Sequence, residues 1–538
     1  MTPRRKFAAV AKRKFVAKQP RSGQKRPTAK RAAPAITKPR VSDGNSGGLR
    51  QLVVVSHAGI EASQSARIGL TSAPAIGVGT AALRSVRGLS SVLDKAHATI
   101  DPLFSEAQLM PSAPFAASNA SAEASAPQAE LGMYQIVRAP DERLEDLAAE
   151  LIDRNLVAGA YVKPEIALPA RPRNLPLRAG RSKLAAALAP GTVTPDFSGS
   201  QGYLEASPNG VDARWAWTQA GGRGDGVSIV DIEGGWCFSH EDLTGSVDGL
   251  VGGVAINTID WRNHGTAVLS EIAGDDNGIG VTGIAPNARV AAVSHQPNGS
   301  AAAILMAARR LKPGDIMLLE MHQPGPRFNF QDRPMDQRGY IAVEWWPDDF
   351  DAISYAFRRG IIVVSAAGNG AENLDDAIYS IRPTTPPYVF PSTWSNPFNR
   401  SQRDSGSILV GAGAPPNGTY GPDRSRLDFS NYGALIDAQG WGRDVVACGY
   451  GNLQGGSEER FYTSSFAGTS SASPIVVGAL AATQGVRNAM GRKPLTPDQA
   501  RALLHRTGAP QANGPNGPAT QRIGNRPDIR AMVASMPR

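Results

Sequence analysis

From residue 201 onward, short apolar runs alternate with segments of helical periodicity, and this alternation constrains the fold more than any other feature of the chain. The helical segments include a long one that begins near Ser471 and another at 496–507. The apolar runs predict strands at 227–232, 290–293, 316–319, 361–364 and 408–410. Apolar strands that alternate with helices are typical of a parallel sheet covered on both faces. We therefore predict an α/β fold over residues 201–538, with a three-layer, doubly wound, mostly parallel sheet.

Three regions of different composition precede this domain. Residues 1–48 are rich in Lys, Arg, Ala and Pro and predict a disordered basic tail. Residues 49–168 contain a strand–helix–strand pattern and a low-complexity Ala/Ser/Pro stretch near 111–128, which together predict a small α+β module. Residues 169–200 are rich in Pro, Arg and Gly, as is typical of a linker.

The basic tail accounts for the positive charge of the whole chain. Residues 1–40 carry fourteen Lys or Arg and no acidic residue, whereas the formal net charge is +9, so the remainder carries −5. A mildly acidic globular part does not favour nucleic acid as a partner of the predicted domain. The tail could contact RNA, an acidic surface or anionic lipid, although a solvated tail is the preferred interpretation.

The sequence gives few indications of compartment. No apolar run reaches the roughly 18 residues of a membrane span. No hydrophobic stretch follows the basic N-terminus, so a standard secretory signal is not predicted. The two cysteines, Cys237 and Cys448, favour free or buried thiols over a disulfide framework. A monomer is expected.

Three short motifs carry residues suited to nucleophilic catalysis. Asp231 lies at the end of an apolar strand, His264 opens a helix within Asn-His-Gly-Thr, and Ser470 follows a glycine turn within Gly-Thr-Ser-Ser-Ala-Ser-Pro. Taken singly, each has an ordinary structural explanation as a cap or turn residue. Taken together, they supply a nucleophile, a base and a group that orients the base, which is the combination that a serine nucleophile needs.

These motifs, in the order Asp, His, Ser, resemble the signatures of the subtilisin-like (S8) serine peptidases. The resemblance covers roughly residues 200–538 and implies a serine endopeptidase that cleaves protein or peptide substrates through an acyl-enzyme. It also implies that Asn369, in Ala-Ala-Gly-Asn-Gly, donates its amide to the oxyanion. By position, the region before 169 resembles the propeptide of the family, so a zymogen is expected. Members are commonly exported, so the compartment stays open between secretion and the cytoplasm.

No cofactor is expected for the chemistry, but the resemblance extends to a loop that binds calcium in some relatives. Asp242 and Asn277 are the candidate ligands, and a purely structural loop is the alternative. The chain also departs from the family pattern, because Glu320 and His322 occupy the strand that normally pairs with substrate. Trp345 and Trp346 follow on an insert, either as walls of the site or as core residues.

Three other interpretations compete with that of a subtilisin-like peptidase. The sedolisin relatives use a Glu in place of the histidine, which His264 argues against. An α/β-hydrolase would need a Gly-x-Ser-x-Gly elbow and a different order of residues. A catalytically inactive, peptide-binding protein of the same fold is the remaining alternative.

Overall fold

The computed structural model describes residues 50–57, 80–104, 131–169 and 193–538. The predicted basic tail (1–48), the low-complexity stretch (111–128) and most of the predicted linker (169–200) lie outside these ranges.

A seven-stranded parallel sheet forms the centre of the molecule, in the order β15-β14-β11-β8-β5-β7-β6. Each of the five predicted strands overlaps one of its members. The strands are β5 (Ser228–Glu233), β6 (Val247–Gly252), β7 (Arg289–Ser294), β8 (Ile316–Leu319), β11 (Ile362–Ala366), β14 (Ile408–Gly413) and β15 (Ile436–Trp441).

Helices cover both faces of this sheet, as expected for strands that are apolar on both sides. Alternate residues of β5 point to opposite faces, so Ile229 joins the core on one side and Val230 joins the core on the other. The helices α4 (Ile259–Ala273) and α7 (Thr469–Ala489) pack on the first face, and α5 (Ser300–Arg310) and α6 (Pro347–Arg358) pack on the second. This arrangement confirms the predicted three-layer α/β fold.

Three further helices complete the C-terminal part: α3 (Ala213–Ala216), α8 (Pro497–Thr507) and α9 (Ile529–Ser535). Two small antiparallel sheets lie beside the main one. The first pairs β9 (His322–Pro324) with β10 (Tyr340–Ala342), and the second pairs β16 (Val445–Cys448) with β17 (Tyr462–Phe466). The buried Trp345 and Trp346 belong to the core, and both cysteines are free and buried.

The N-terminal region contributes four strands to a second, antiparallel sheet. These are β1 (Gln51–Val55), β2 (Thr99–Pro102), β3 (Tyr134–Arg138) and β4 (Gly159–Lys163), with α1 (Thr80–Ala96) and α2 (Leu144–Asp153) on one face. The opposite face packs on the core layer of α5 and α6. A hairpin of β12 (Thr384–Thr385) and β13 (Tyr388–Val389) extends the sheet from the C-terminal part. The boundaries of the predicted module stay a prediction, since the sheet draws strands from both parts.

A buried ion cluster holds this sheet on the molecule. The Nζ atom of Lys163 lies 2.7 Å from Asp348 Oδ2 and 2.6 Å from Asp349 Oδ2, and all three side chains are almost fully buried. Lys163 also donates to Ser300 Oγ, and the Tyr161 hydroxyl donates to Asp348 Oδ1. We call these residues the docking cluster. No helix within the described ranges combines the length and the apolar character needed to cross a bilayer.

Candidate active site

Strand β5 presents two carboxyl groups on one face of the sheet. Because side chains alternate along a strand, Asp231 and Glu233 point to the same side, one repeat apart. Glu233 is the last residue of the strand, directly before Gly234, and both carboxyl groups are fully buried. The strand therefore ends one residue beyond the predicted range of 227–232 and two residues beyond Asp231, which places Glu233 at the edge of the sheet.

The histidine of helix α4 contacts the second of these carboxyl groups. His264 Nδ1 lies 2.9 Å from Glu233 Oε2. Gly265 makes this approach feasible, since a Cβ atom at that position would lie 2.5 Å from Glu233 Oε1. The ionised form of Glu233 only accepts hydrogen bonds, so beside that form the Nδ1 atom carries the proton and Nε2 is left with its lone pair.

Asp231, which the sequence predicts to orient His264, is hydrogen-bonded to a different side chain. Asp231 Oδ2 accepts a hydrogen bond from Trp236 Nε1 at 2.8 Å, and Glu233 occupies the place beside the imidazole. The physical reason is the strand register. The two carboxyl groups share a face, and only the one at the C-terminal edge reaches the helix that carries His264.

Ser470 lies in the first turn of α7, a helix of 21 residues. Gly468 precedes it with φ 114°, a conformation that favours glycine and turns the chain into the helix. The side chain is 2% exposed and lies close to Glu320, whose pKa burial raises well above its usual range while a hydrogen bond from Ser470 opposes part of that rise. Backbone N–H groups at such a helix start are free to bind a developing negative charge.

Asn369, in the turn after β11, is oriented by its neighbours on α7. The Thr469 backbone N–H and the Thr469 hydroxyl both donate to Asn369 Oδ1, at 2.9 and 3.0 Å. These two donors identify the oxygen of the amide and leave its NH₂ group on the other side. The predicted oxyanion donor is thus held next to the helix start that carries Ser470.

Burial dominates the electrostatics of this group. It raises the pKa of Glu233 well above its usual range. Burial also raises the pKa of Asp231, and the Glu233 carboxyl adds to that effect. The pKa of His264 is lowered to about 4 by burial, against an opposing effect of Asp231. A neutral imidazole is the form that can accept a proton.

The segment that follows β8 adds two polar side chains that contact α7 and the turn carrying Asn369. Glu320 accepts a hydrogen bond from Ser473 Oγ, and His322 Nδ1 lies 3.3 Å from the backbone nitrogen of Asn369. Both side chains are buried, and Met321 between them points into the core. His322, one of the two residues that depart from the family pattern, therefore contacts Asn369, the predicted oxyanion donor.

The predicted calcium ligands, Asp242 and Asn277, lie together, but they satisfy each other. Asn277 Nδ2 donates to Asp242 Oδ1 at 3.0 Å, and the Val281 backbone N–H donates to Asp242 Oδ2. Calcium takes oxygen ligands, so the Asn277 amide would have to turn its Oδ1, which accepts from the Ile279 backbone N–H, and the calcium site stays a prediction. Within the described part of the chain, no group of three His, Cys, Asp or Glu side chains could hold a metal ion.

Sequence reasoning missed the role of Glu233. The available signal was the Gly234-Gly235 pair, which ends the strand directly after the glutamate. Gly235 leaves no space for a side chain, since a Cβ atom there would lie 2.5 Å from the Ile256 carbonyl oxygen. A strand that must end at such a turn delivers its last residue, Glu233, to the edge of the sheet.

Comparison with known proteins identifies the family that this chain resembles. Residues 252–524, half of the chain, match the model of the subtilase family. The chain is 26% identical to an intracellular serine protease of Paenibacillus polymyxa, over 57% of this chain and 82% of that relative. It is 28% identical to subtilisin DY of Bacillus licheniformis, over 48% of this chain and 77% of that relative.

A solved structure extends the likeness of the fold. Fervidolysin from Fervidobacterium pennivorans, a keratinolytic enzyme related to subtilisin, aligns with 93% of this chain and 63% of its own. The TM-score is 0.50 and the identity is 16%, so the likeness concerns the fold alone. The match to the family model begins after β5, which means that it includes His264, Asn369 and Ser470 but neither carboxyl group of that strand.

Proposed function

From the premise that this chain belongs to the subtilase family, we propose that it is a serine endopeptidase with Glu233, His264 and Ser470 as its catalytic triad. The hydrogen bond between Glu233 and His264 Nδ1 carries the proposal, because it fixes the tautomer that a general base needs. Asp231, the acid that the sequence suggested, supports the group as a neighbouring carboxyl hydrogen-bonded to Trp236.

The proposed reaction is acyl transfer in two steps. His264 Nε2 takes the proton of the Ser470 hydroxyl while Oγ attacks the scissile carbonyl carbon. The proton then passes from His264 to the leaving amine as the C–N bond breaks. Water, deprotonated by His264, attacks the acyl-enzyme, and His264 returns that proton to Ser470 Oγ as the C–O bond breaks and the carboxylic acid product leaves. Glu233 stabilises the imidazolium at both steps, and no cofactor takes part.

Two donors would stabilise the negative charge on the carbonyl oxygen. One is the Asn369 NH₂ group, whose direction is set by the bonds from Thr469 to Oδ1. The other is the Ser470 backbone N–H at the start of α7. Donors held in place before the reaction need no reorganisation when the charge develops.

A fluorophosphonate probe tests the nucleophile. Active enzyme obtained from the full chain, after any propeptide is removed, should be labelled at Ser470 with loss of fluoride, whereas the Ser470→Ala variant and heat-denatured wild type should stay unlabelled. Mass spectrometry of an unfolded protein substrate then tests the endopeptidase: internal fragments are expected, and release of single terminal residues would contradict it. If folded wild type is never labelled, the alternative of an inactive peptide-binding protein is favoured.

We further propose that the N-terminal sheet acts as a propeptide. The segment after β4 runs beside the site, since Gln323 Nε2 donates to the Pro164 carbonyl and Gln337 Nε2 donates to the Leu168 carbonyl. Gln323 is the neighbour of His322, so the segment reaches the strand beside the oxyanion asparagine. Mass spectrometry of the mature species should find a first residue beyond 168, and an intact Met1 after native expression would contradict processing.

A further inference from the structure

His322 is held in one orientation by contacts on two sides. The Asn369 backbone N–H donates to its Nδ1 atom, and its ring lies 5.1 Å from that of Tyr340 at an angle of 70°. Strand β10 pairs with β9, with Ala342 opposite His322 and Tyr340 opposite Pro324, and this pairing holds Tyr340 in place. The ring therefore has a defined direction beside the proposed oxyanion donor.

The hydrogen bond at Nδ1 determines which nitrogen carries the proton. Nδ1 accepts, so in the neutral ring Nε2 carries the hydrogen. Burial and the nearby His264 lower the pKa of His322 to about 3, which keeps the ring neutral. Within the described residues, Nε2 has no hydrogen-bond partner, although the side chain is 2% exposed. A buried donor without an acceptor costs free energy, and a bound substrate could supply that acceptor.

The proposed chemistry places a substrate residue next to this donor. The carbonyl oxygen of the scissile bond must lie about 3 Å from the NH₂ group of Asn369. The residue that supplies this carbonyl, which we call the acyl residue, thus has its side chain beside the Asn369 backbone, where His322 lies. Strand β10 limits the space there, because the Gly339 N–H donates to the Gly370 carbonyl and a Cβ atom on Gly370 would lie 2.2 Å from the Tyr340 oxygen.

Resting on the proposed function, we infer that His322 is a specificity residue whose Nε2–H donates to an oxygen on the side chain of the acyl residue, so that a short, uncharged acceptor such as asparagine is preferred. The short length follows from the position of β10. The absence of charge follows from the burial of Glu320, Glu233 and Asp231, since burial raises the pKa of each of these carboxyl groups and disfavours a further carboxylate in the same surroundings.

The experiment compares peptide 4-nitroanilides that differ only in the acyl residue, which is Asn, Leu or Asp. Asn and Leu have nearly the same shape, so their ratio of kcat/KM isolates the hydrogen bond. For active enzyme obtained from the full chain, we expect Asn to exceed Leu by about tenfold to a hundredfold, the discrimination that one buried donor gives. Asp should be cleaved less well than Asn.

Two variants of His322 distinguish the roles of its two nitrogen atoms. Asparagine places a polar atom where Nδ1 lies, and glutamine places its NH₂ group where Nε2 lies. His322→Asn should therefore abolish the Asn-to-Leu preference, and His322→Gln should retain part of it. The ratio is measured within each variant, so a change in the amount of active enzyme does not affect it.

Labelling with the fluorophosphonate probe is run on the same preparations. If wild type is labelled but cleaves the Leu substrate as well as the Asn substrate, this inference is wrong while the proposed function stands. The inference is equally overturned if the preference for Asn survives in His322→Asn, or if Asp is the preferred acyl residue. If wild type is not labelled at all, the proposed function fails first.

Discussion

The active site and the docking cluster are both buried groups of ionisable side chains, but they differ in which of their polar atoms have a partner. In the docking cluster, Lys163 contacts both carboxylates and a hydroxyl group. In the active site, Glu233 Oε1 and His264 Nε2 have no hydrogen-bond partner among the described residues. Ion pairs between a buried cation and two carboxyl groups stabilise contact between two parts of the fold, whereas unpaired polar atoms remain available to a ligand.

This difference predicts that substitutions in the two clusters change different quantities. A change in the active site should lower the rate with little loss of stability, because few native contacts are broken. A change in the docking cluster should lower stability, because a buried charge loses its partner.

The largest effect is expected for Glu233→Gln. The amide either presents its NH₂ group to Nδ1, which fixes the wrong tautomer, or presents its oxygen without the charge that stabilises the imidazolium. We expect kcat to fall about 10⁴-fold, with thermal stability kept. Asp231→Asn is the matched control and should cost less than about tenfold. Steady-state kinetics on both variants decide between the two carboxyl groups, and a larger loss for Asp231→Asn would restore that residue to the triad.

The second effect concerns the docking cluster. Lys163→Ala leaves Asp348 and Asp349 buried without a cation, and breaking such a pair costs about 3–5 kcal/mol. Hydrogen exchange of the amides of β1 and β4 should accelerate accordingly. Arg138→Ala is the control, since its ion pair with Asp101 is about half exposed and contributes less than about 1 kcal/mol. Equal acceleration in both variants would show that the cluster does not hold the sheet.

The same contrast explains how far the sequence could predict this molecule. Apolar runs located five of the seven strands of the central sheet because burial on both faces leaves a pattern that few other structures share. The carboxyl group beside His264 was not identified because Asp231 and Glu233 share a face, and the end of a strand is uncertain by about two residues from sequence alone. The pairing of β9 with β10 was not predicted, since strands of three residues carry too little pattern.

The candidate calcium ligands and Lys163 show a second limit of prediction from sequence. The family resemblance gave Asp242 and Asn277 as candidate ligands, but only the structure reveals which atom of the amide faces the carboxylate. Lys163 gave no signal in the sequence, because its partner Asp348 is 185 residues away along the chain. Contacts between distant segments depend on the assembled fold, not on local pattern.

The third effect tests the oxyanion donor. Asn369→Leu keeps the size of the side chain and removes the NH₂ group, so kcat should fall about 10²–10³-fold, the loss found when subtilisin lacks its own asparagine donor. KM should change little, since the donor acts on charge that develops after binding. A loss confined to KM would place Asn369 in substrate binding instead.

The fourth effect is the pH dependence of labelling. His264 must be neutral to accept the Ser470 proton, and its pKa of about 4 keeps it neutral well below pH 6.5. A histidine with an ordinary pKa near 6.5 would react about 30-fold more slowly at pH 5 than at pH 7. We expect wild type to keep more than about half of its rate of fluorophosphonate labelling at pH 5. A decline that begins near pH 6.5 would mean that His264 is solvated in the reactive state.

The smallest effect is expected for a residue that orients the Asn369 amide without itself donating to the oxyanion. Thr469→Val removes the hydroxyl that donates to Asn369 Oδ1 and keeps the backbone N–H that donates to the same oxygen. One of two orienting bonds is lost, at a cost of about 0.5–1.5 kcal/mol, so kcat should fall about 2–10-fold. In the Asn369→Leu background the same change should have no effect, because the amide that it orients is absent. Additive losses in this double-mutant cycle would show that Thr469 acts by some route other than the oxyanion asparagine.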